Sequence, residues 1–309
     1  MSLARPRFRS PDLAAVTSPV LSDQLRSLCG EEAVATDATR RRLAGHDVFF
    51  EAALDPECVV APDTVEALAS AVRMVTSAGL AVAPRGGGMS YTAGYLPARA
   101  YVCFDLRRLS RVLEVNAFDL TITVQAGCTW AQVREALAGT GLMTPYGGPL
   151  SGLRATVGGA LSQNSMFFGA GQHGTAAETV LGMQVVLASG ELLQTGSAGF
   201  AGATPFARWG GPDMTGLFVG DAGALGIKAV VTLRLIPLPA ASGFASYGFP
   251  TLTDMVNAQV GLMRQGLGSE CFGIDAFKAT HSAQTARIRA AGAARTALPA
   301  TAFGAGLQR

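Results

Sequence analysis

The segment Pro84-Arg85-Gly86-Gly87-Gly88-Met89-Ser90-Tyr91-Thr92-Ala93-Gly94 carries the groups best suited to hold an anion. Three successive glycines cost backbone entropy, which suits positive φ or close approach of a ligand. Their consecutive N–H groups can line a concave nest for an oxyanion, and Arg85 adds a fixed positive charge. Ser90 and Thr92 add hydroxyl donors. The expected guest is a phosphate or pyrophosphate. No lysine closes the loop in the manner of a nucleotide-triphosphate site. No helical period follows it either, as it would after a dinucleotide-binding glycine turn. The bland alternative is a flexible surface turn.

A second stretch, Tyr146 to Ser165, is also rich in glycine and uncharged apart from Arg154. Thr156 is placed to cap a helix running through Asn164, with Gly158 and Gly159 in its first turn. Such glycines let a flat ligand approach the backbone, and free N–H groups there favour an electron-rich edge. Tight helix–sheet packing is the competing reading. A third glycine-rich turn spans Val219 to Ile227.

The elements that must position these loops are legible around them. Cys58 to Ala61 reads as a strand. Asp63-Thr64-Val65-Glu66 has the pattern of a capping box, and Val65, Leu68, Val72 and Val75 recur at helical spacing. Gly79 suits the helix stop, and Leu80 to Ala83 is the strand that feeds the first loop. Tyr101 to Leu106, Val112 to Val115 and Thr121 to Gln125 are further strands, the last two joined by turn chemistry at Asn116 to Asp119. Thr129 to Gln132 is a second capping box, with Val133 and Leu137 facing inward. Val180 to Leu187 and Glu191 to Thr195 flank Ser189-Gly190 as a hairpin. Asp213 to Phe218 is a short helix and Ala229 to Ile236 a half-buried strand. Pro237 and Pro239 mark a boundary. Beyond it are expected a strand at Phe244 to Phe249, an amphipathic helix at Thr251 to Gln265 and a strand at Cys271 to Phe277. At the N-terminus, residues up to Val16 read as loose and Ser22 to Leu28 as a helix. From Ala279 onward the chain reads as weakly ordered or truncated.

Composition excludes some classes. Of 309 residues, 49% are hydrophobic and 15% charged, so a sizeable core is available. A net charge of +2, without a basic stripe interleaved with aromatics, argues against a nucleic-acid partner. Cys29, Cys58, Cys103, Cys128 and Cys271 show no paired spacing, which argues against a disulfide framework or a zinc site. Without an apolar leader or a stretch able to span a bilayer, the expectation is a cytoplasmic protein, not an integral membrane one.

Taken together, several motifs resemble the FAD-binding domain of the vanillyl-alcohol oxidase / p-cresol methylhydroxylase superfamily. They are Pro84 to Ser90, Ala155-Thr156-Val157-Gly158-Gly159 with Asn164, His173-Gly174-Thr175, Leu181 to Gly190, Gly216 to Gly220, Leu225-Gly226-Ile227 and Leu233 to Pro237. The resemblance runs from about Asp55 to Pro239 and is closest to D-lactate dehydrogenase and glycolate oxidase flavin subunits. It implies an α+β fold: a PCMH-type FAD-binding domain of two α+β subdomains, followed by the start of an α/β cap domain. The implied division is a helical lead at 1–54, the FAD-binding domain at 55–239 and a partial substrate-binding cap at 240–309.

The implied cofactor site comprises Pro84, Arg85, Gly86, Gly87, Gly88, Met89, Ser90, Thr92 and Gly94 around the pyrophosphate. Pro149, Gly152, Thr156, Gly158, Gly159, Ser162 and Asn164 lie along the flavin and ribityl chain. Gly174, Gly226 and Ile227 complete the set, Ile227 meeting the adenine end through its backbone. Some relatives attach FAD through a histidine where Met89 stands, or through a cysteine where Arg154 stands, so FAD is expected to be non-covalent. Ala222 and Ala224 replace an acidic residue and a threonine of the third turn, and Gln163 to Met166 replace a small-residue stretch.

The implied function is oxidation of a hydroxylated small molecule, a 2-hydroxy acid such as lactate or glycolate, by hydride transfer to FAD. Two alternatives stand beside it: an FAD-binding subunit or fragment working within a complex, and a phenolic-alcohol oxidase. The expected partners are a small-molecule substrate and a partner subunit or electron acceptor. No catalytic base is named. His46, His173 and His281 read as structural or surface residues, and no metal-binding pair is present.

Overall fold

In a computed structural model of the protein, residues 19–275 and 277 are described. The expectations for the first residues, for the segment from Ala279 and for His281 fall outside them. The chain divides into two compact units, residues 1–238 and 239–309.

The first unit opens with α1 (Pro19–Cys29), β1 (Val34–Ala35), α2 (Ala38–Ala44), β2 (Val59–Val60), α3 (Val65–Ser77), β3 (Ala81–Arg85) and β4 (Tyr101–Asp105). The strands form a four-stranded sheet in the order β1-β2-β4-β3. β2 and β3 both run parallel to β4, whereas β1 is antiparallel to β2. The segment expected as a helical lead thus also contributes an edge strand. Its α1 buries Leu21 and Leu25 in the same core as Leu68, Val72 and Val75 of α3 and Val102 and Phe104 of β4. Full burial of each such side chain is worth about 1.5–3 kcal/mol. The cap of α3 sits one residue later than expected. Thr64, the last extended residue, accepts a hydrogen bond from Ala67 N at 3.1 Å, while Asp63 pairs with Arg108. Gly79, at φ +79°, ends the helix.

Next come β5 (Val112–Asn116), β6 (Thr121–Gln125), α4 (Trp130–Ala136), β7 (Leu142–Met143), α5 (Val157–Ser162) and α6 (Ala170–His173). They are followed by β8 (Val180–Val186), β9 (Leu192–Gln194), α7 (Met214–Leu217), β10 (Ile227–Arg234) and β11 (Ile236–Pro237). An antiparallel sheet in the order β5-β6-β10-β8-β9 dominates, and β7 pairs with β11. The alternation of β6 and β10 buries Ile122, Val124, Val231 and Leu233 beneath α4 and α5. The capping box at Thr129 and Gln132 closes in both directions and starts α4. Trp130 of that helix meets Tyr146 edge-to-face at 5.0 Å, a favourable aromatic geometry. Val186, Ile227 and Ala229 from this sheet join the core of the first, so the two α+β halves share apolar contacts.

The second unit holds α8 (Leu252–Arg264), capped by the Thr251 hydroxyl accepting from Asp254 N. The strands expected at 244–249 and 271–277 are not formed: residues 244–249 and 271–275 are irregular. Neither segment finds a ladder partner among the described residues, and an extended segment without a partner leaves its amides to solvent.

Candidate functional site

The first glycine loop leaves the C-terminal end of β3, where parallel β3 and β4 end side by side. The N–H groups of Gly86, Gly87, Gly88 and Met89 donate to none of the described residues, and all four residues are only partly exposed. Successive unspent amides in a half-enclosed loop form the concavity that an anion fills. Positive φ falls on Gly88 (+67°), so only that glycine of the three needs left-handed backbone. A Cβ on Gly86 would strike the Thr156 hydroxyl, on Gly87 the Arg154 carbonyl, and on Gly88 the Arg85 guanidinium. Their smallness therefore brings the two loops together and keeps Arg85 in place.

The hydroxyls expected as free donors are partly spent. Thr92 donates to Gln163 Oε1 at 2.9 Å, and Ser90 and Thr92 share a 3.1 Å hydrogen bond. The Arg85 guanidinium lies 5.8 Å from the Tyr95 ring centroid, and its buried Nε has no hydrogen-bond partner. A buried, unspent guanidinium N–H beside unspent amides suits a phosphate-bearing guest. Burial pushes the Tyr95 phenol up to about 12, and its hydroxyl donates to His46 O at 2.8 Å.

Two braces hold the loop, and neither was apparent from the sequence. The first is Asp47, only 5% exposed. One carboxylate oxygen accepts from Phe49 N at 2.7 Å and Phe50 N at 2.5 Å, and the other from Ala93 N at 2.8 Å. Val48 N adds a bond to Ser90 O. The second brace is the third turn. Ala222 N donates to Ser162 O and Gly220 N to Leu161 O, seating the turn on α5. A Cβ on Gly223 would lie 2.5 Å from Pro84, and one on Gly94 would meet Gln163 and Ala222. Three non-glycine residues with positive φ, Ala93 (+59°), Asn164 (+44°) and Ala222 (+54°), lie in these converging segments. Such strain persists only where surrounding structure over-determines it, and it concentrates at functional sites.

Asp221 and Lys228 form a buried pair at 2.6 Å, each side chain 2% exposed. Burial pulls the Lys228 ammonium below its ordinary pKa, opposed by the Asp221 charge. Asp221 also accepts from Gly223 N, so the pair shapes the turn. The acidic group expected to be missing at Ala222 is thus supplied by its neighbour.

The second glycine stretch differs from expectation. Val157 N donates to Cys128 O, Gly158 N to Ala126 O and Gly159 N to the Thr156 hydroxyl. The first turn of α5 therefore has no free amide at these positions for a ligand edge. A Cβ on Gly158 would lie 2.8 Å from the Ala126 side chain, which is the packing role of the competing reading. Gly152 is buried against Pro149 O and Trp130, and Pro149 O accepts its N–H. Asn164 is exposed, and its side-chain oxygen accepts from Ala177 N. Gly174, at φ +84°, packs its turn on Glu178, apart from the first loop's contacts. Gly226 packs on Val185, and the Ile227 side chain belongs to the core, leaving only its backbone for a ligand.

Residues 56–196 match the family described as FAD binding domain. The chain is 31% identical over 258 residues to a probable mitochondrial D-lactate dehydrogenase of Danio rerio, covering 84% of this chain and 50% of that protein. It is 27% identical over 219 residues to glycolate oxidase subunit GlcD of Bacillus subtilis, covering 71% and 45%. Among solved structures, p-cresol methylhydroxylase with substrate bound superposes with a TM-score of 0.65 at 20% identity, covering 79% of this chain and 48% of that one. The chain spans about half the length of the curated relatives it matches.

Proposed function

We propose that the chain is an FAD-binding member of the vanillyl-alcohol oxidase / p-cresol methylhydroxylase superfamily and that it serves oxidation of a small 2-hydroxy acid such as lactate or glycolate. When bound, FAD supplies the two-electron acceptor for hydride leaving the hydroxyl-bearing carbon. The observation that carries the reading is the run of four unspent amides from Gly86 to Met89 beside the buried Nε of Arg85.

In this reading those amides, with Arg85, Ser90 and Thr92, receive the pyrophosphate oxygens. Pro84 and Gly94 admit it by their contacts with the third turn and Gln163. Pro149, Gly152, Thr156, Ser162 and Asn164 line the flavin and ribityl side. Gly226 and Ile227 offer backbone to the adenine end. Gly158, Gly159 and Gly174 take part through packing and turn geometry. Met89 and Arg154 offer no nucleophile to the flavin ring, so the cofactor is held non-covalently. Asp47 and the Asp221–Lys228 pair position the loops and so limit the reorganisation that binding costs.

A second reading, a flavin-holding subunit that relies on a partner chain for turnover, is favoured by one observation. Neither described histidine stands free at the loop: His46 pairs with Glu51 at 3.5 Å, and His173 ends α6. The five cysteines are all free thiols, which supports a reducing compartment such as the cytoplasm as part of the same proposal. No helix among the described residues is long and apolar enough to cross a membrane.

Acid precipitation of the purified holoprotein tests the cofactor reading: all yellow colour is expected in the supernatant. Flavin in the pellet overturns non-covalent binding, and protein that neither carries nor takes up FAD overturns the site. Stopped-flow mixing with D-lactate or glycolate then separates the two readings. Fast bleaching of bound flavin supports the self-sufficient enzyme. Bound flavin that stays oxidised until a partner chain is added supports the subunit.

A further inference from the structure

A cavity of about 250 Å3 opens beside Gly87, lined by the side chains of Arg107, Ser110, Thr129, Gln132 and Arg154. That volume holds roughly eight waters, or one small organic acid. None of the side chains lining it is a carboxylate.

The donors there are unevenly spent. Arg154 is exposed, and its guanidinium makes no hydrogen bond or ion pair with the described residues. The Ser110 hydroxyl is likewise unpartnered. Gln132 Oε1 takes the Thr129 N–H at 2.8 Å and the Thr129 hydroxyl at 3.1 Å, which leaves the Nε2 hydrogens unspent. Asp105 holds Arg107 through Nε and Nη2, which fixes the guanidinium and leaves Nη1 uncommitted. Arg107 is thus partly neutralised and pre-positioned, whereas Arg154 carries a full uncompensated charge. A cavity that offers several unspent donors, two of them cationic, and no carboxylate is complementary to an anionic guest that accepts. Planar guanidinium groups match the two oxygens of a carboxylate.

We propose that this cavity is a seat for a small organic carboxylate, bound by Arg154 and Arg107 with Ser110 and Gln132 as further donors. The inference rests on this geometry alone and does not depend on the redox reading. A phosphate of a bound cofactor shares the oxyanion chemistry, so the test must separate the two sources.

Malonate is the probe, titrated calorimetrically into the full chain with and without FAD. Weak binding in the millimolar range is expected, and it should persist after FAD is loaded. Arg154→Met and Arg107→Met should each weaken it by about tenfold or more, the loss of one charge-assisted contact. Exposed Arg134→Met is the control and should leave it unchanged, with far-ultraviolet circular dichroism confirming the fold of every variant. Three outcomes overturn the proposal: no malonate binding to the wild type, equal binding in the Arg154 and Arg107 variants, or loss of binding once FAD is loaded. The last would assign the cavity to the cofactor's own phosphates.

Discussion

The two glycine-rich stretches look alike in sequence and do opposite things with their amides. From Gly86 to Met89 the N–H groups are unspent and the loop is half open. From Val157 to Gly159 each N–H already has a protein acceptor, and Gly158 presses against Ala126. In the proposed reading the first stretch is open to a guest, whereas the first turn of α5 is packed against the protein's own backbone. A glycine run therefore signals close approach without saying of what. The accounting of amide hydrogens tells a ligand's approach from that of the protein's own backbone.

If that contrast is right, substitutions in the two stretches should separate stability from cofactor binding. The largest effect is expected for Gly158→Val, which forces two methyls into the contact with Ala126. Overpacking of this kind costs about 1–3 kcal/mol, and the apoprotein should unfold at correspondingly lower denaturant. A Gly158→Val protein as stable as wild type but unable to bind FAD would place the ligand against the first turn of α5 after all. Gly88→Ala should behave in the opposite way. Left-handed backbone for alanine costs about 1–2 kcal/mol, and its methyl would displace the Arg85 guanidinium. Apoprotein stability should fall modestly, while FAD affinity, read from quenching of flavin fluorescence, falls by more than that strain accounts for. Affinity unchanged in Gly88→Ala would remove the anion role of the first loop. Gly87→Val, in turn, acts by collision with the Arg154 carbonyl rather than through its φ, so it should disturb both readouts.

The smallest effect concerns pH. Burial, helped by Arg234, holds the His173 imidazole below its ordinary pKa. The unfolded chain then binds the proton more readily than the folded one. Stability is present above about pH 6.5 and declines as pH falls through the lowered folded value. Denaturant titrations across that range should show a slightly shallower decline in His173→Gln than in wild type. FAD affinity should not track the difference, because His173 ends α6 and not the anion loop. Identical pH profiles for the two proteins would remove His173 from the account.

Local signals were readable from sequence and non-local ones were not. The Thr129–Gln132 box and the turn at Asn116 involve residues only two or three apart, so sequence alone displays them. The cap of α3 was displaced by one residue because Asp63 and Thr64 are both good caps, and the backbone conformation at Thr64 decides. Which glycine takes positive φ is a property of the loop's closure, invisible in a run of three. Asp47 reads as one acid among many until Ala93 folds onto it. Lys228 sits in an apolar strand pattern, and only the tertiary fold supplies Asp221. The strands expected near Phe244 and Phe272 failed for the converse reason: alternation is local, but a strand exists only with a partner.

The seating of the third turn has a kinetic consequence. The first loop is complete early in the chain, yet the turn that packs Gly223 on Pro84 and hangs Ala222 on Ser162 lies far downstream. Contacts of such sequence separation form late, because a long loop must close before they reward the chain. During synthesis the anion loop must therefore wait, unbraced on one side, until residues 219–227 have emerged. Cofactor uptake is expected to be among the last events of folding, so free FAD should speed the final approach to the native state and leave the initial collapse unaffected.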